Sequence, residues 1–513
     1  MIPLRLNTLS RLLILTLQLM ACGSAVAAPN AARQLIQEAL TQMGGEAKIR
    51  SLKSLRFEAL GYRNLLEQSE RPEGPYIVEF QRVSVMRDLE HLRQKQTNEA
   101  TVANFPSYKM SIVVADEVAA QSFGDRTGPG SRDQLETARE DLELGPERVL
   151  LTAIAAPDLR VETDTVLQAV PHHVVTFTWR NIPVRVYLNA NTALPTEVEW
   201  KCARPYGSFW SVWGDVTTRV YYSLWWLTPE GVHYPLQWDV FRNDLPDVSV
   251  AISRLELNPE LPADTFAITQ DVKDAFAKRR DLTADNRPLG FPGQPGTEIA
   301  KDIVFIPGSW NTTLVRQGDG IVILEAPISS GYSAKAIAEA ERRWPGVPIK
   351  AAVSTSDAWP HIGGVREYVA RGIPIYAPDL NLPILTRVVS APRSSLPDAL
   401  ARNPRPPVFR PVSGKMMIGD GPNRMEIYPL RGETTERQMM IYFPEHKLLY
   451  GSDAFQKEDA NKYFYAQTVW EVVHAVERES LNVDTFFMMH MGPTPWREVK
   501  AVLAPPEKTP SAR

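Results

Sequence analysis

Cysteine is nearly absent from this chain. Its 513 residues include two, Cys22 and Cys202, so no disulfide framework can organise the fold. Cys202 has no obvious histidine partner and reads as structural. Charge of one sign is lacking too. Lys and Arg number 56 against 60 Asp and Glu, a formal net charge of −4, and there is no long basic run. Nucleic acid is thereby excluded as the main partner. Beyond the N-terminus no apolar run is long enough to cross a bilayer as a helix, and no repeat of solenoid period is present. Histidine is scarce as well, eight in all, which bears on any metal chemistry.

What is present begins with a leader. Arg5 and Arg11 give a weakly basic start, Leu12–Met20 is a short apolar run, and Ala25-Val26-Ala27 offers a small-residue cleavage site. This pattern is that of a secretory signal over residues 1–27. A second reading competes: Leu19-Met20-Ala21-Cys22 is similar to a lipobox, which would make Cys22 a lipid anchor. Either way the protein is expected to be periplasmic or secreted.

The rest divides into two halves with different periodicities. Residues 30–280 open with helical spacing over Ala32–Gln42, closed by Gly44-Gly45, and then alternate with period two. Val175, Phe177 and Trp179 share one face, Arg180-Asn181 makes a turn, and Val184, Val186 and Leu188 alternate beyond it. Further stretches of the same kind predict a curved antiparallel sheet. Residues 281–300 have the Pro/Gly-rich composition of a linker. Residues 301–500 alternate short strands with helices, including a helix over Ser333–Trp344 with Ser333 as N-cap and one at Val365–Arg371 closed by Gly372. Residues 501–513 read as a flexible tail.

Two families are resembled. VRVYLNANTALPTEVEW, GVHYPLQWDVF and LELNPELPADTF resemble units of the lipoprotein-carrier (LolA-type) half-barrel. In the second half, GIVILEAP, TSDAWPHIGGVREYVARGIPIYA, YPLRGETTERQMMIYFPEHKLLYGSD and MMHMGPTPW resemble, in order, four landmarks of the metallo-β-lactamase superfamily. Together they imply an α+β protein: an N-terminal curved antiparallel β half-barrel with helices, then a C-terminal αββα sandwich.

The second resemblance also implies a depleted metal site. The superfamily signature is His-x-His-x-Asp-His. Here Ser356, Ala358 and Pro360 stand at the first three positions, and His361 matches the last. Glu433 replaces the histidine of a Gly-His-Thr stretch, and Glu325 stands where an early strand ends in aspartate. Asp453 and His490 match the bridging aspartate and the final histidine. The first metal site has therefore lost every nitrogen ligand, while His361, Asp453 and His490 suffice for one zinc or iron ion. Glu433 or Asp357 would have to supply a general base. The competing reading makes His361 and His490 hydrogen-bonding relics and Asp453 a turn cap, with no cofactor.

Other polar residues carry blander readings. His172 and His173 read as structural, His446 as exposed, and Glu140, Asp141 and Glu143 as a solvated helix face. The aromatic group Trp210, Trp213, Tyr221, Tyr222, Trp225 and Trp226 reads as sheet core rather than a ligand groove. Two functions follow as expectations. One is a hydrolase of a small ester, lactone or related substrate. The other is a non-catalytic carrier of an apolar ligand.

Overall fold

The period-two stretches of the N-terminal half pair with one another. A computed structural model describes residues 29–68, 70–103, 106–454, 456–459, 462–464 and 466–503. The leader with Cys22, and the tail beyond residue 503, lie outside the described residues. One antiparallel sheet of 14 strands occupies this half. Val170–Trp179 and Ile182–Asn189 form a hairpin across Arg180 and Asn181, whose φ values of 47° and 64° are the left-handed pair that a two-residue turn requires. The first strand, Ser54–Leu65, runs antiparallel to the last, Leu245–Leu257. That non-local pairing joins the two meanders, and the sheet remains open, ending in Arg126–Pro129 on one side and Arg160–Val161 on the other.

One face of this sheet is filled. Ile36 and Leu40 of the helix Pro29–Gln42, and Val149 and Leu150 of the helix Val149–Ala155, pack onto Val175, Phe177, Val184 and Val186 in a single core. The acidic cluster is not solvated, contrary to its sequence reading. Glu140 is buried and pairs with the equally buried Arg204 at 2.6 Å, and Glu143 accepts from Trp179 Nε1 and Arg180 Nε. Charges at these depths persist only when paired, which a charge count along one helix does not reveal. His172 is structural as read, bridging the Val170 carbonyl and Thr196 Oγ1. His446 is half-buried against Asn423 rather than exposed.

The C-terminal half stacks two sheets. A seven-stranded sheet begins at Thr297–Ala300 and a six-stranded sheet at Met416–Ile418. Val322, Leu324 and Val353 of the first face Ile427, Ile441 and Phe487 of the second, together with Val472 and Val476 of the helix Ala466–Arg478. Ile321 and Ile323 point the other way, onto Ile337, Val365 and Tyr368 of two covering helices. Burial on both faces explains why GIVIL reads as one apolar run instead of alternating. The layers are helix, sheet, sheet, helix.

Three boundaries differ from the sequence reading. Thr297–Ala300, read as linker, is the edge strand on Ile303–Ile306. The helix spans Ser330–Arg343, with Ser329 Oγ accepting from Tyr332 N at 3.2 Å, so Ser329 and not Ser333 is its cap. Ser333 instead packs against the Gly363-Gly364 turn, where a Cβ on Gly364 would lie 1.9 Å from Ser333 Oγ. That close approach is why glycine stands there.

The halves share a core. Trp210 and Trp213 are buried in the same cluster as Ile323, Val365 and Leu385 of the sandwich. They are therefore interdomain packing rather than sheet core, unlike Tyr222, which lies in the sheet's own core. The proline-rich excursion docks beside them. Asp215, 2% exposed, accepts from Ser394 N at 2.8 Å, Ser395 N at 3.1 Å and the Ser394 hydroxyl. Burial opposes its charge, and these bonds outweigh burial and hold its carboxyl below the usual range. Asp215→Ala removes the buried, charged acceptor shared by the Ser394 and Ser395 amides and is expected to lower stability by about 2 kcal/mol. Thermal melting checks this, and a melt unchanged within error would refute it.

Candidate metal centre

Four strand ends build the site. Gly320–Leu324 and Ile349–Val353 are parallel neighbours in one sheet, and Leu448–Tyr450 and Thr485–Phe487 are parallel neighbours in the other. Each runs out at its carboxyl end into a residue of the centre: Glu325, His361, Asp453 and His490 respectively. Carboxyl ends of parallel strands leave a crevice where the chain must turn away.

Backbone bonds fix each turn. Ala326 N donates to the His361 carbonyl and Ile328 N to the Pro360 carbonyl, both at 3.0 Å. Gly451 N donates to the Phe487 carbonyl at 3.0 Å, and Asn311 Nδ2 to the Met488 carbonyl at 3.1 Å. Glu325 adopts φ of +74°, a left-handed conformation uncommon for a side chain of this size. Its carboxylate is wholly buried, accepting from Thr355 N at 3.0 Å, from the Thr355 hydroxyl and from Tyr450 OH at 2.8 Å.

His361, Asp453 and His490 come together, their ligand-type atoms all within 4.8 Å of one another. His490 Nε2 lies 2.9 Å from Asp453 Oδ1, and His361 Nε2 lies 3.7 Å from the same oxygen. On its far side, His361 Nδ1 is 3.0 Å from Glu325 Oε2. His361 is fully buried, yet neither ring nitrogen attains hydrogen-bond geometry at these distances. Burial works against a charge on this imidazole, but the Glu325 and Asp453 carboxylates outweigh it and raise its pKa to about 10 in the metal-free protein. Burial likewise opposes the Asp453 charge, and the two imidazoles hold that carboxyl far below its ordinary value.

The donor set fits one ion. Ligands at about 2.0–2.1 Å in a tetrahedron stand about 3.3 Å apart; the two imidazole-to-Asp453 separations, 2.9 and 3.7 Å, bracket that value, and all three donors lie within 4.8 Å of one another. A buried imidazole nitrogen with no aligned partner, facing a carboxylate, is in the state that ligation would satisfy. Glu325 behind His361 is the carboxylate that commonly orients a ligating ring. At the neighbouring position the fit fails: Ser356 Oγ accepts from Ala358 N at 3.2 Å, and Ala358 and Pro360 bring no donor side chain.

The two proposed bases are placed differently. Asp357 lines the cleft in front of the triad, with Arg437 Nε 4.0 Å away. Burial pushes its carboxyl up to about 7, against the pull of Arg437. Glu433 is exposed and is not among the residues lining the cleft. Its loop is pinned instead by Glu471, which accepts from Thr434 N at 3.1 Å and Thr435 N at 3.0 Å. Glu325 carries no site role in the sequence pattern, and its place behind His361 emerges only in the fold. The signal available was a lone carboxylate closing an otherwise apolar strand, GIVILE.

The N-terminal half forms one wall of the cleft. Leu66, Ile77, Phe209 and Leu245 face Trp359, Ile362 and Ile384 across it. At its rim Arg71 Nε meets Glu436 Oε2 at 2.7 Å and Arg437 meets Glu73 at 3.0 Å, so charge pairs clip the two halves together.

No family model matches the chain, and no curated protein matches it either. Solved structures show a faint likeness. The DIM-1 metallo-β-lactamase is 16% identical, with 41% of this chain and 95% of that one covered at a TM-score of 0.33. A metallo-β-lactamase from Pontibacter korlensis is 14% identical, with 40% and 96% covered at 0.32. The inverting sec-alkylsulfatase Pisa1 from Pseudomonas sp. is 16% identical, with 41% and 40% covered at 0.31. Likenesses this faint decide nothing about chemistry.

Proposed function

We propose that the chain is a single-metal hydrolase of a small ester, lactone or related substrate, with one zinc or iron ion held by His361, Asp453 and His490. The observation that carries this is the convergence of two imidazoles and a carboxylate from three distant segments beside an open cleft. When bound, such an ion supplies Lewis acidity toward a carbonyl oxygen and acidifies water. The remaining work falls to the protein. Glu325, 3.0 Å from His361 Nδ1, is placed to orient that ring once the other nitrogen is ligated. Asp357, with a carboxyl that titrates near neutrality, is suited to take up and return a proton. The wall from the N-terminal half limits the access of bulk water. We also propose export, on the character of residues 1–27. The carrier reading finds less support, because the core of the N-terminal sheet is filled by its own helices.

The test is metal removal and return. Protein stripped by a chelator and reloaded with zinc or ferrous iron is assayed on p-nitrophenyl acetate and a γ-lactone. Hydrolysis is expected to vanish on stripping and to return in proportion to metal, levelling at one equivalent. Activity indifferent to stripping contradicts the reading, and so does a plateau at two equivalents.

A further inference from the structure

The cleft in front of the triad is built from both halves, and its far wall has apolar surface to spare. Leu66, Ile77, Phe209 and Leu245 come from three separate segments of the N-terminal half. Their neighbour Trp210 is used up in domain packing, at 8% exposed, while Trp213, 5% exposed, also borders the cleft. Ile77, Phe209 and Leu245 stay half-buried. Apolar side chains left partly wet inside a concavity are the surface that an apolar ligand removes from water.

Charge narrows the ligand further. Glu67, Glu70, Asp357 and Asp453 place four carboxyl groups on the cleft. Against them stand two guanidinium groups among the described residues, each with a partner of its own. Arg437 donates to the Leu380 carbonyl at 2.9 Å and to Glu73 at 3.0 Å, while Arg387 donates to the Asn243 carbonyl at 3.2 Å and lies over the Trp213 ring at 5.0 Å. Among the described residues, four carboxyl groups against two guanidinium groups leave an anion little net counter-charge beyond the proposed metal itself. It suits an uncharged molecule with a hydrocarbon part.

We propose, resting on the hydrolase reading, that the substrate is an uncharged ester or lactone of medium acyl chain. Its hydrocarbon lies along Leu66, Ile77, Phe209 and Leu245, which makes the N-terminal half the specificity-determining wall of the C-terminal site. In the reaction the water oxygen bonds to the acyl carbon and the bond from that carbon to the leaving oxygen breaks. One water proton ends on the released alcohol and the other leaves the new acid. The carboxylate product carries the charge that this cleft does not match, which favours its release.

Two arms test this on the full chain. In the first, kcat/KM of the loaded enzyme is measured on p-nitrophenyl acetate, butyrate, hexanoate and octanoate. A rise of about threefold per methylene is expected, with a flatter slope for Phe209→Ala and for Leu245→Ser. In the second, the metal-stripped protein is titrated calorimetrically with methyl heptyl ketone, methyl propyl ketone and nonanoate. The long ketone is expected to bind about tenfold or more tighter than the short one and tighter than nonanoate, and both variants to weaken it. Near-ultraviolet circular dichroism confirms that each variant is folded, and either folded variant suffices. A flat ester series with no ketone binding overturns the wall while leaving the hydrolase standing. Ketone binding with no hydrolysis overturns the hydrolase while leaving the wall. Nonanoate binding tighter than the ketone overturns the choice of an uncharged ligand.

Discussion

His361→Ala is expected to abolish stoichiometric metal retention. Structural zinc sites with four ligands bind with about 10–16 kcal/mol, or about 2.5–4 kcal/mol per ligand. Losing one of three protein donors should weaken binding by about two to three orders of magnitude. Elemental analysis after gel filtration reads this directly, as a fall from one equivalent to background. The same variant takes the cationic neighbour from the buried Glu325 carboxylate and leaves it to Thr355 and Tyr450, and removing one partner of a buried pair is expected to destabilise by about 3–5 kcal/mol. His490→Ala separates the two effects. His490 is 21% exposed and sits at the rim, so its loss should release metal with little change in melting temperature. Glu325→Gln keeps the volume and removes the charge that orients His361, and about 10–100-fold weaker metal binding is expected. Full metal content in both histidine variants would contradict the ligand assignment.

Metal-free protein is expected to lose stability as the solution is made alkaline. The His361 pKa is raised from about 6.5 to about 10, chiefly by Glu325 and Asp453 against the opposing effect of burial. A group whose folded pKa is raised contributes stability that is complete below its unfolded value. That contribution drains away between about pH 6.5 and about pH 10 and amounts to a few kcal/mol. Asp453 acts in the opposite direction: its depressed carboxyl contributes stability above the usual carboxylate range, which is lost as the solution is acidified. The urea midpoint of stripped protein should therefore fall between pH 7 and 10. In His361→Asn that decline should be absent. Equal declines in both would show that His361 is not the titrating group. Because a ligating imidazole must be deprotonated, metal binding near pH 8 should also release a proton from this pair, measurable by pH-stat.

Much of the architecture was legible in the sequence because its signals are local. The period-two faces of Val175, Phe177 and Trp179 and the Arg180-Asn181 turn depend on neighbours a few residues away. The Gly363-Gly364 turn and the closure at Gly372 are equally local. What was hidden involves partners far along the chain. Glu140 looked solvated because Arg204 lies 64 residues away. Trp210 and Trp213 looked like sheet core because composition does not show that a second half covers them. Glu433 reads as a candidate base in the sequence, yet its loop is turned by Glu471, which no local pattern connects to it. Glu325 was visible as a position but not as the partner of His361, since that pairing exists only after two parallel strands align.

The whole account stands on three donors sharing one ion. The most direct measurement is anomalous diffraction at the zinc edge from crystals of reloaded protein. A single peak is predicted, about 2.0–2.2 Å from His361 Nε2, an Asp453 carboxylate oxygen and a His490 ring nitrogen, with Asp357 facing it across the cleft. A peak elsewhere, or two peaks flanking Asp453, would contradict it.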